Sequence, residues 1–104
     1  MSKTNISAIE LLEFIKSGKQ PVLIDVREKI EFHTYNIGGI NMPLARLADY
    51  IKDAEYNKND EIVVVCKAGL RSRTAQVLLQ QQGYTNVLNL TGGLIAIQKI
   101  NNSL

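Results

Sequence analysis

The sequence predicts an α/β domain built on a mostly parallel β-sheet. Two observations carry this prediction: short apolar runs alternate with segments of helical periodicity along the chain, and the strongest apolar run is entirely β-branched. That run, Ile62-Val63-Val64-Val65, has the composition of a strand buried on both faces. We expect residues 1–104 to form one domain, because the length suits one core and no linker, repeat or low-complexity tract interrupts it.

Helix signals separate short candidate strands in the first half of the chain. Ser7 and Glu10 form an S-x-x-E capping box, and the helix that starts there is expected to end near Gly18. Pro43 favours the start of a second helix, because its missing N–H is not needed there, and apolar residues recur at helical spacing through Ile51. The remaining predictions are a short helical segment within residues 28–34 and strands at residues 4–6, 22–26 and 40–42.

The second half of the chain continues the alternation. Residues 57–60 have the composition of a turn and lead into the β-branched run. A helix with apolar residues at helical spacing is expected next, and Gly83 ends it. Residues 87–90 predict the last strand, and Gly92-Gly93 the start of a terminal helix that runs to about Ile100. Helices between strands are the connections that a parallel sheet requires.

Composition and charge exclude several classes of function. The formal net charge is +2, from 12 basic and 10 acidic residues scattered along the chain, so we expect neither a nucleic-acid nor a membrane partner. No apolar run approaches the roughly 20 residues that span a bilayer. Residues 1–5 lack the apolar core of a signal peptide, so a cytoplasmic location is predicted. No dinucleotide fingerprint or phosphate-binding P-loop is present, and no cofactor is expected.

The single cysteine, Cys66, is the most informative residue of the sequence. One thiol cannot close an intramolecular disulfide, and no Cys/His cluster suits a metal such as zinc. A lone cysteine is most often a buried small hydrophobe. Cys66, however, follows the most apolar strand and precedes a short loop into a helix. In open α/β sheets, ligands bind beyond the carboxyl ends of the strands.

The loop after the cysteine has features that activate a thiol. A strand-loop-helix turn aims backbone N–H groups at its concave face, and the first helical turn adds the positive end of its dipole. Such surroundings lower the pKa of a thiol and favour the nucleophilic thiolate. Gly69 permits a tight turn, and Lys67 and Arg71 add cations. Taken singly, these residues also fit a plain turn, a solvated lysine, and an arginine paired with Glu28 or Glu31.

The segment Cys66-Lys67-Ala68-Gly69-Leu70-Arg71-Ser72 resembles the active-site loop of the rhodanese family, in the C-[RK]-x-G-x-R-S form common in its small single-domain members. Segments similar to the family's other signatures follow in the expected order. They are Leu23-Ile24-Asp25-Val26-Arg27-Glu28 with Glu31-Phe32, Ile37-Gly38-Gly39-Ile40-Asn41-Met42-Pro43-Leu44, and Gly83-Tyr84 through Asn86-Val87 with Leu90-Thr91-Gly92-Gly93. Together they span most of the chain, from about Ile6 to Ile97.

The resemblance implies a rhodanese-like α/β fold, with about five mostly parallel strands and helices on both faces. It implies a sulfurtransferase in which Cys66 attacks the outer sulfur of a small anionic donor, such as thiosulfate, and becomes a persulfide. An acceptor then removes the sulfur: cyanide in vitro, a thiol or a protein in the cell. Asp25 and Arg27 map onto signature positions expected to brace the loop, with a purely structural ion pair as the alternative. The terminal sulfur is expected to bind the backbone amides of Lys67, Ala68, Gly69, Leu70, Arg71 and Ser72.

The chain departs from the family pattern away from this loop. Asn36 and Gly38 stand where His and Pro are common, and Ile97 stands where Trp is common, in a chain without Trp. These positions are remote from the sulfur chemistry and are expected to affect local packing. The only histidine, His33, is interpreted as a helix or loop residue and not as a base.

Other functions are compatible with the same scaffold. Dual-specificity phosphatases of the cell-division-cycle type need a C-x5-R loop that is wide enough to surround phosphate. Arg71 follows Cys66 with the shorter C-x4-R spacing, which disfavours a phosphatase. A non-catalytic binding module would usually lack the loop cysteine, which is present here. A sulfur carrier that serves one specific partner, and turns over small donors poorly, would have the same sequence features, so that alternative stays open.

Overall fold

A five-stranded sheet forms the centre of the structure, a computed structural model that describes residues 3–102. The strands are β1 (Asn5–Ile6), β2 (Val22–Asp25), β3 (Ile40–Asn41), β4 (Ile62–Val65) and β5 (Val87–Leu90). Their order across the sheet is β1-β5-β4-β2-β3, and every pairing is parallel. The predicted α/β class and parallel sheet are therefore confirmed, and β4 lies in the middle.

The helices follow the predicted order along the chain. They are α1 (Ala8–Lys16), α2 (Lys29–Thr34), α3 (Leu47–Asp53), α4 (Leu70–Gln81) and α5 (Gly93–Asn102). The helix predicted from Pro43 differs, because a 3₁₀ turn at Leu44–Arg46 precedes α3. The Arg46 N–H donates to the Pro43 carbonyl at 2.8 Å, and Arg46 has φ −115° and ψ 3°, outside the helical region. Pro43 therefore starts the 3₁₀ turn and not the α-helix.

Apolar side chains cover both faces of the sheet. On one face, Ile62 and Val64 of β4 belong to a cluster with buried residues of α3 and α4. On the other face, Val63 and Val65 belong to a cluster with buried residues of α1 and α5. All these β4 side chains are at most 1% exposed. The predicted burial of this strand on both faces is therefore confirmed. Each buried side chain stabilises the fold by roughly 1.5–3 kcal/mol.

The boundaries of α1 follow from local capping interactions. The Glu10 N–H donates to Ser7 Oγ at 3.1 Å, and Glu10 Oε1 accepts from the Ser7 N–H at 3.0 Å, which confirms the predicted capping box. A hydrogen-bonded cap of this kind contributes about 1 kcal/mol. The helix ends at Lys16, two residues before Gly18, which has a left-handed φ of 90°.

The positions that depart from the family pattern have local structural explanations. Asn36 Nδ2 donates to the Phe32 carbonyl at 2.9 Å, and Asn36 Oδ1 accepts from the Gly38 N–H at 2.9 Å, so this amide holds the turn after α2. Ile97 is fully buried in the cluster that includes α1 and α5, where an aliphatic side chain fills the position. His33 lies in α2, which agrees with its predicted place in a helix or loop, and its side chain is exposed.

The start of α5 packs directly against the backbone that follows β4. The Leu94 N–H donates to the Cys66 carbonyl at 2.9 Å, and the Ile95 N–H donates to the Lys67 carbonyl at 3.1 Å. These are first-turn N–H groups, which have no partner within their own helix. A Cβ atom on Gly93 would lie only 2.4 Å from the Lys67 carbonyl oxygen. The close approach therefore requires glycine at this position.

We expect Gly93→Ala to destabilise the protein by more than about 2 kcal/mol. Gly93 has φ 59°, so an alanine there carries the strain of a left-handed residue, roughly 1–2 kcal/mol. Its Cβ atom would also clash with the backbone after β4. Gly18→Ala is the matched control: its φ is also left-handed, but its Cβ would meet no atom within 4 Å. Urea unfolding would measure both losses. Equal losses in the two variants would contradict the close-approach argument.

Candidate active site

Cys66 lies immediately after β4, at the carboxyl end of the central strand. The chain then turns through Gly69, the N-cap of α4, which has φ 95° and ψ −1°. A left-handed residue at this point is natural for glycine and strained for other residues. The turn folds the backbone around the cysteine side chain, and the residue is only 1% exposed. Cys66 is therefore buried, as most lone cysteines are, but polar groups of its own loop contact its sulfur.

The sulfur of Cys66 makes polar contacts within its own loop. The Gly69 N–H donates to Sγ at 3.0 Å, and Ser72 Oγ lies 3.3 Å from Sγ. Burial raises the pKa of the Cys66 thiol, but hydrogen bonds from the Ser72 hydroxyl and from the amides of Ser72, Gly69 and Ala68 outweigh burial. The pKa of the thiol is therefore lowered on balance, which favours the nucleophilic thiolate.

Arg71 forms a two-pronged ion pair with Glu31 of α2. Arg71 Nη1 lies 2.6 Å from Glu31 Oε1, and Arg71 Nη2 lies 2.9 Å from Oε2. Of the carboxylates that the sequence left open, the structure thus selects Glu31. The hydrogen bonds from Arg71, opposed by burial, lower the pKa of the Glu31 carboxyl to about 2. The pair ties α4 to α2 and offsets much of the positive charge beside the sulfur.

Asp25 and Arg27 form a buried ion pair at the end of β2. Arg27 Nε donates to Asp25 Oδ1 at 3.0 Å, and Arg27 Nη2 donates to Asp25 Oδ2 at 2.8 Å. Arg27 Nη2 also donates to the Tyr35 carbonyl at 2.6 Å, after the end of α2. Within residues 3–102, neither side chain hydrogen-bonds to the loop 66–72. The contacts are those of the structural alternative, and bracing of the loop stays a prediction.

The other predicted loop residues differ in their exposure to solvent. Lys67, Ala68 and Leu70 are exposed, whereas Ser72 is fully buried. Lys67 makes no ion pair in the part of the chain that the structure describes. It lies at the edge of a cleft of about 300 Å³ beside the loop. The cleft is lined by Arg27, Ile30, Glu31, Thr34, Tyr35, Lys67, Leu94 and Gln98.

Asn89 of β5 belongs to this site, although no sequence motif marks it. Asn89 Oδ1 accepts from Ser72 Oγ at 2.5 Å, and Asn89 Nδ2 donates to the Gly69 carbonyl at 3.2 Å. The residue is 4% exposed. The available signal was a lone amide in the otherwise apolar run Val87-Leu88-Asn89-Leu90, since a buried polar side chain needs a partner.

The remaining features bear on metals and membranes. Within residues 3–102, no cluster of His, Cys, Asp and Glu side chains is placed to hold a metal ion. In the same range, no helix has the length and apolar character that crossing a membrane requires.

The site can therefore present one buried, hydrogen-bonded sulfur nucleophile, and the next residue, Lys67, lines a cleft and makes no ion pair within residues 3–102. The elements that build it are the carboxyl end of β4, the first turn of α4 and the start of α5. Burial excludes bulk water from the sulfur, and the donated hydrogen bonds stabilise negative charge on it.

Comparisons with known proteins agree with this description. The family model for the Rhodanese-like domain matches residues 7–100. The chain is 40% identical to the thiosulfate sulfurtransferase PspE of Escherichia coli, over 96% of this chain and 98% of that protein. It is 33% identical to a putative mitochondrial thiosulfate sulfurtransferase of Schizosaccharomyces pombe, over 88% and 79% of the two chains. The solution structure of the rhodanese-like domain of the Anabaena protein Alr3790 superposes with a TM-score of 0.86 at 25% identity, over 94% of this chain and 75% of that one. The chain therefore belongs to the rhodanese-like domain family.

Proposed function

We propose that the chain transfers sulfane sulfur from a small anionic donor to a thiophilic acceptor through a persulfide on Cys66. The observation that supports this most directly is the buried Sγ atom, which accepts a hydrogen bond from the Gly69 N–H and lies beside the Ser72 hydroxyl. Relatives that carry the name thiosulfate sulfurtransferase suggest thiosulfate as the donor.

The proposed reaction has two displacement steps at sulfur. The Cys66 thiolate attacks the outer sulfur of thiosulfate, the donor's S–S bond breaks, and its electron pair leaves with sulfite. The product is a Cys66 persulfide whose negative charge lies on the outer sulfur. Cyanide or a thiolate then attacks that outer sulfur, and the electron pair of the breaking S–S bond restores the Cys66 thiolate. Neither step needs a metal or a cofactor to balance atoms or charge.

In this proposal the loop backbone binds the outer sulfur. The amides of Lys67, Ala68, Gly69, Leu70, Arg71 and Ser72 are the candidate donors. Lys67, exposed and without an ion pair in the described chain, would attract the anionic donor. Asp25 and Arg27 would act at a distance, by fixing the end of β2 and the chain after α2.

The surface around the sulfur favours a protein as the natural acceptor. Ile30 and Leu70 are 76% and 78% exposed, more than any other large hydrophobic side chain of the described residues. They directly precede Glu31 and Arg71, the partners of the ion pair that joins α2 to α4. Exposed apolar side chains beside a reactive group often mark an interaction site. We therefore propose an acceptor thiol with an apolar neighbour, and a carboxylate for Lys67.

The alternatives keep specific tests. A phosphatase would need the arginine to point at a bound phosphate, whereas Arg71 binds Glu31 with both guanidinium prongs. A carrier with one specific partner would form the persulfide but discharge it slowly to small acceptors. The predicted cytoplasmic location stays a prediction, since the Schizosaccharomyces pombe relative is named as mitochondrial.

Cys66→Ser should reduce thiocyanate formation from thiosulfate and cyanide by at least roughly a hundredfold, because a serine oxygen cannot carry a persulfide. Wild-type protein treated with thiosulfate alone should gain the mass of one sulfur atom, and the variant should gain none. Circular dichroism would verify that both proteins are folded. Folded wild type that has a free thiol and shows neither turnover nor added mass would refute the proposal for this donor. Hydrolysis of a phosphate ester would then be the next assay.

Glu31→Gln should lower the free energy of unfolding by at most about 1 kcal/mol near neutral pH, since the ion pair is about one-third exposed. Folding lowers the pKa of Glu31 from 4.5 to about 2, so the carboxylate stabilises the fold fully above pH 4.5. That contribution is lost as pH falls from 4.5 towards 2. The difference between wild type and variant in urea unfolding should therefore shrink over this interval.

The control for this experiment is Glu13→Gln, since Glu13 is exposed and makes no ion pair in the described residues. It should change stability little at any pH. A wild-type advantage over Glu31→Gln that persists unchanged at the lowest pH would contradict the assignment of the stabilisation to the Glu31 carboxylate.

Ile30→Ser should reduce the preference of the pre-formed persulfide for apolar acceptors. The acceptors are two blocked peptide thiols, Leu-Cys-Glu and Gly-Cys-Gly, and the measurement is the ratio of their second-order rate constants. We expect wild type to prefer the first by roughly fivefold, which corresponds to about 1 kcal/mol of apolar contact and charge. Ile9→Ser is the control, because Ile9 is 60% exposed but lies on α1. A ratio near one in wild type would argue against a protein-binding surface here.

A further inference from the structure

Three polar groups lie in a row behind the sulfur of Cys66. Ser72 Oγ is 3.3 Å from Sγ, Asn89 Oδ1 is 2.5 Å from Ser72 Oγ, and Asn89 Nδ2 is 3.2 Å from the Gly69 carbonyl oxygen. Ser72 and Asn89 are 0% and 4% exposed. Because these side chains are shielded from solvent, they need partners within the protein, and the partners seen here are one another, Sγ and the Gly69 carbonyl.

The direction of each hydrogen bond follows from which groups can donate. The Gly69 carbonyl can only accept, so the amide nitrogen of Asn89 must face it. Asn89 Oδ1 therefore faces Ser72, and it too can only accept. The Ser72 hydroxyl has one proton, and that proton goes to Asn89 whenever this bond is made. Ser72 then presents a lone pair to Cys66, which suits a neutral thiol as donor.

A negative charge on Sγ reverses this preference. The thiolate is a strong acceptor and cannot donate, so the Ser72 lone pair that faces it becomes unfavourable. The hydroxyl can turn its proton to Sγ, but only by giving up the bond to Asn89. In the persulfide, the negative charge lies on the outer sulfur, so Sγ gains less from a hydrogen-bond donor. One hydroxyl proton thus has two competing acceptors, and the charge on Sγ decides between them.

We propose that Asn89 is a positioning residue that competes with the Cys66 sulfur for the hydrogen bond that the Ser72 hydroxyl donates. The hydroxyl donates to Sγ when the sulfur is a free thiolate, and to Asn89 when the sulfur is a persulfide. This inference rests on the proposed function, because it needs the sulfur to alternate between those two forms. Free thiolate is then stabilised at the expense of the Ser72–Asn89 bond, whereas the persulfide keeps that bond. Asn89 therefore favours the loaded state of the sulfur over the unloaded one.

Charged residues also lie on the elements around this site. They are Lys67 on the loop, Arg71 on α4, Glu31 on α2, and Asp25 and Arg27 at the end of β2. None of their side chains hydrogen-bonds to Ser72 or Asn89 in the described part of the chain. Variants at Ser72 and Asn89 keep all these charges, so their effects on the thiol can be compared directly.

The test is the titration of Cys66, followed by the ultraviolet absorbance of its thiolate, in wild type, Ser72→Ala, Asn89→Ala and the double variant. Ser72→Ala should raise the midpoint, because the thiolate loses a donor. Asn89→Ala should lower the midpoint and give roughly fivefold more thiolate at a fixed pH below it. A fivefold change corresponds to the free energy of about one neutral hydrogen bond. In the Ser72→Ala background, Asn89→Ala should change little, because its influence passes through the hydroxyl.

The double variant also separates this influence from the anchoring of the Gly69 carbonyl, which is lost equally in both backgrounds. Gln76→Ala is the matched control. Gln76 lies on α4, as Ser72 does, is 7% exposed, and donates to the Val87 carbonyl of β5 at 2.9 Å. It should lower stability without moving the midpoint. Asn89→Val, which fills more of the space and suits a strand, replaces Asn89→Ala if the latter does not fold.

An unchanged or raised midpoint in Asn89→Ala, or an equal shift in both backgrounds, would overturn the proposal. The persulfide arm uses mixtures of thiosulfate and sulfite, with the loaded fraction read by mass spectrometry. Asn89→Ala should lower the ratio of persulfide to free thiolate roughly fivefold. An unchanged fraction in a protein that does form persulfide would overturn the coupling to loading. If wild type forms no persulfide, the proposed function fails, whereas the titration result stands by itself.

Discussion

The contact between the start of α5 and the backbone after β4 is the constraint on which the site depends. The N–H groups of Leu94 and Ile95 bind the carbonyls of Cys66 and Lys67, which fixes the backbone where the loop begins. From this fixed start the loop brings the Gly69 N–H to 3.0 Å from Sγ. The first-turn N–H groups of α5 therefore hold the loop that leads into α4. A buried loop without such partners would leave its carbonyls unsatisfied.

This arrangement stabilises negative charge on sulfur mainly with neutral donors. Backbone amides and one hydroxyl lie close to Sγ, while the guanidinium of Arg71 is held in a two-pronged bond to Glu31. A cation paired with the thiolate would lower the reactivity of the sulfur as a nucleophile. The loop thus favours ionisation of the thiol while it leaves the sulfur free to form a new bond. Lys67 is exposed and could attract the proposed anionic donor.

Most of the fold could be predicted from the sequence, because its signals are local. The capping box at Ser7 and the β-branched run Ile62–Val65 depend on neighbours in the chain, and the structure has both where they were expected. The position of Cys66 after the central strand followed from the same patterns. The contribution of Asn89 depends on the packing of α4 against β5, which brings together residues far apart in sequence. No periodicity records that contact, and the partner of Arg71 was open between two carboxylates for the same reason.

The tight closure of the loop also bears on which anion the site can accommodate. The C-x4-R spacing places Gly69 at the N-cap of α4, with its amide 3.0 Å from Sγ and Ser72 Oγ 3.3 Å from the same atom. A persulfide adds a single atom to Sγ and concentrates its negative charge on that outer sulfur, so a few backbone amides of the loop suffice to bind it. A phosphoryl group spreads its charge over several oxygens and needs an arginine turned inward to bind them. Arg71 instead extends to Glu31, so the loop as folded matches the proposed persulfide better than a phosphoenzyme.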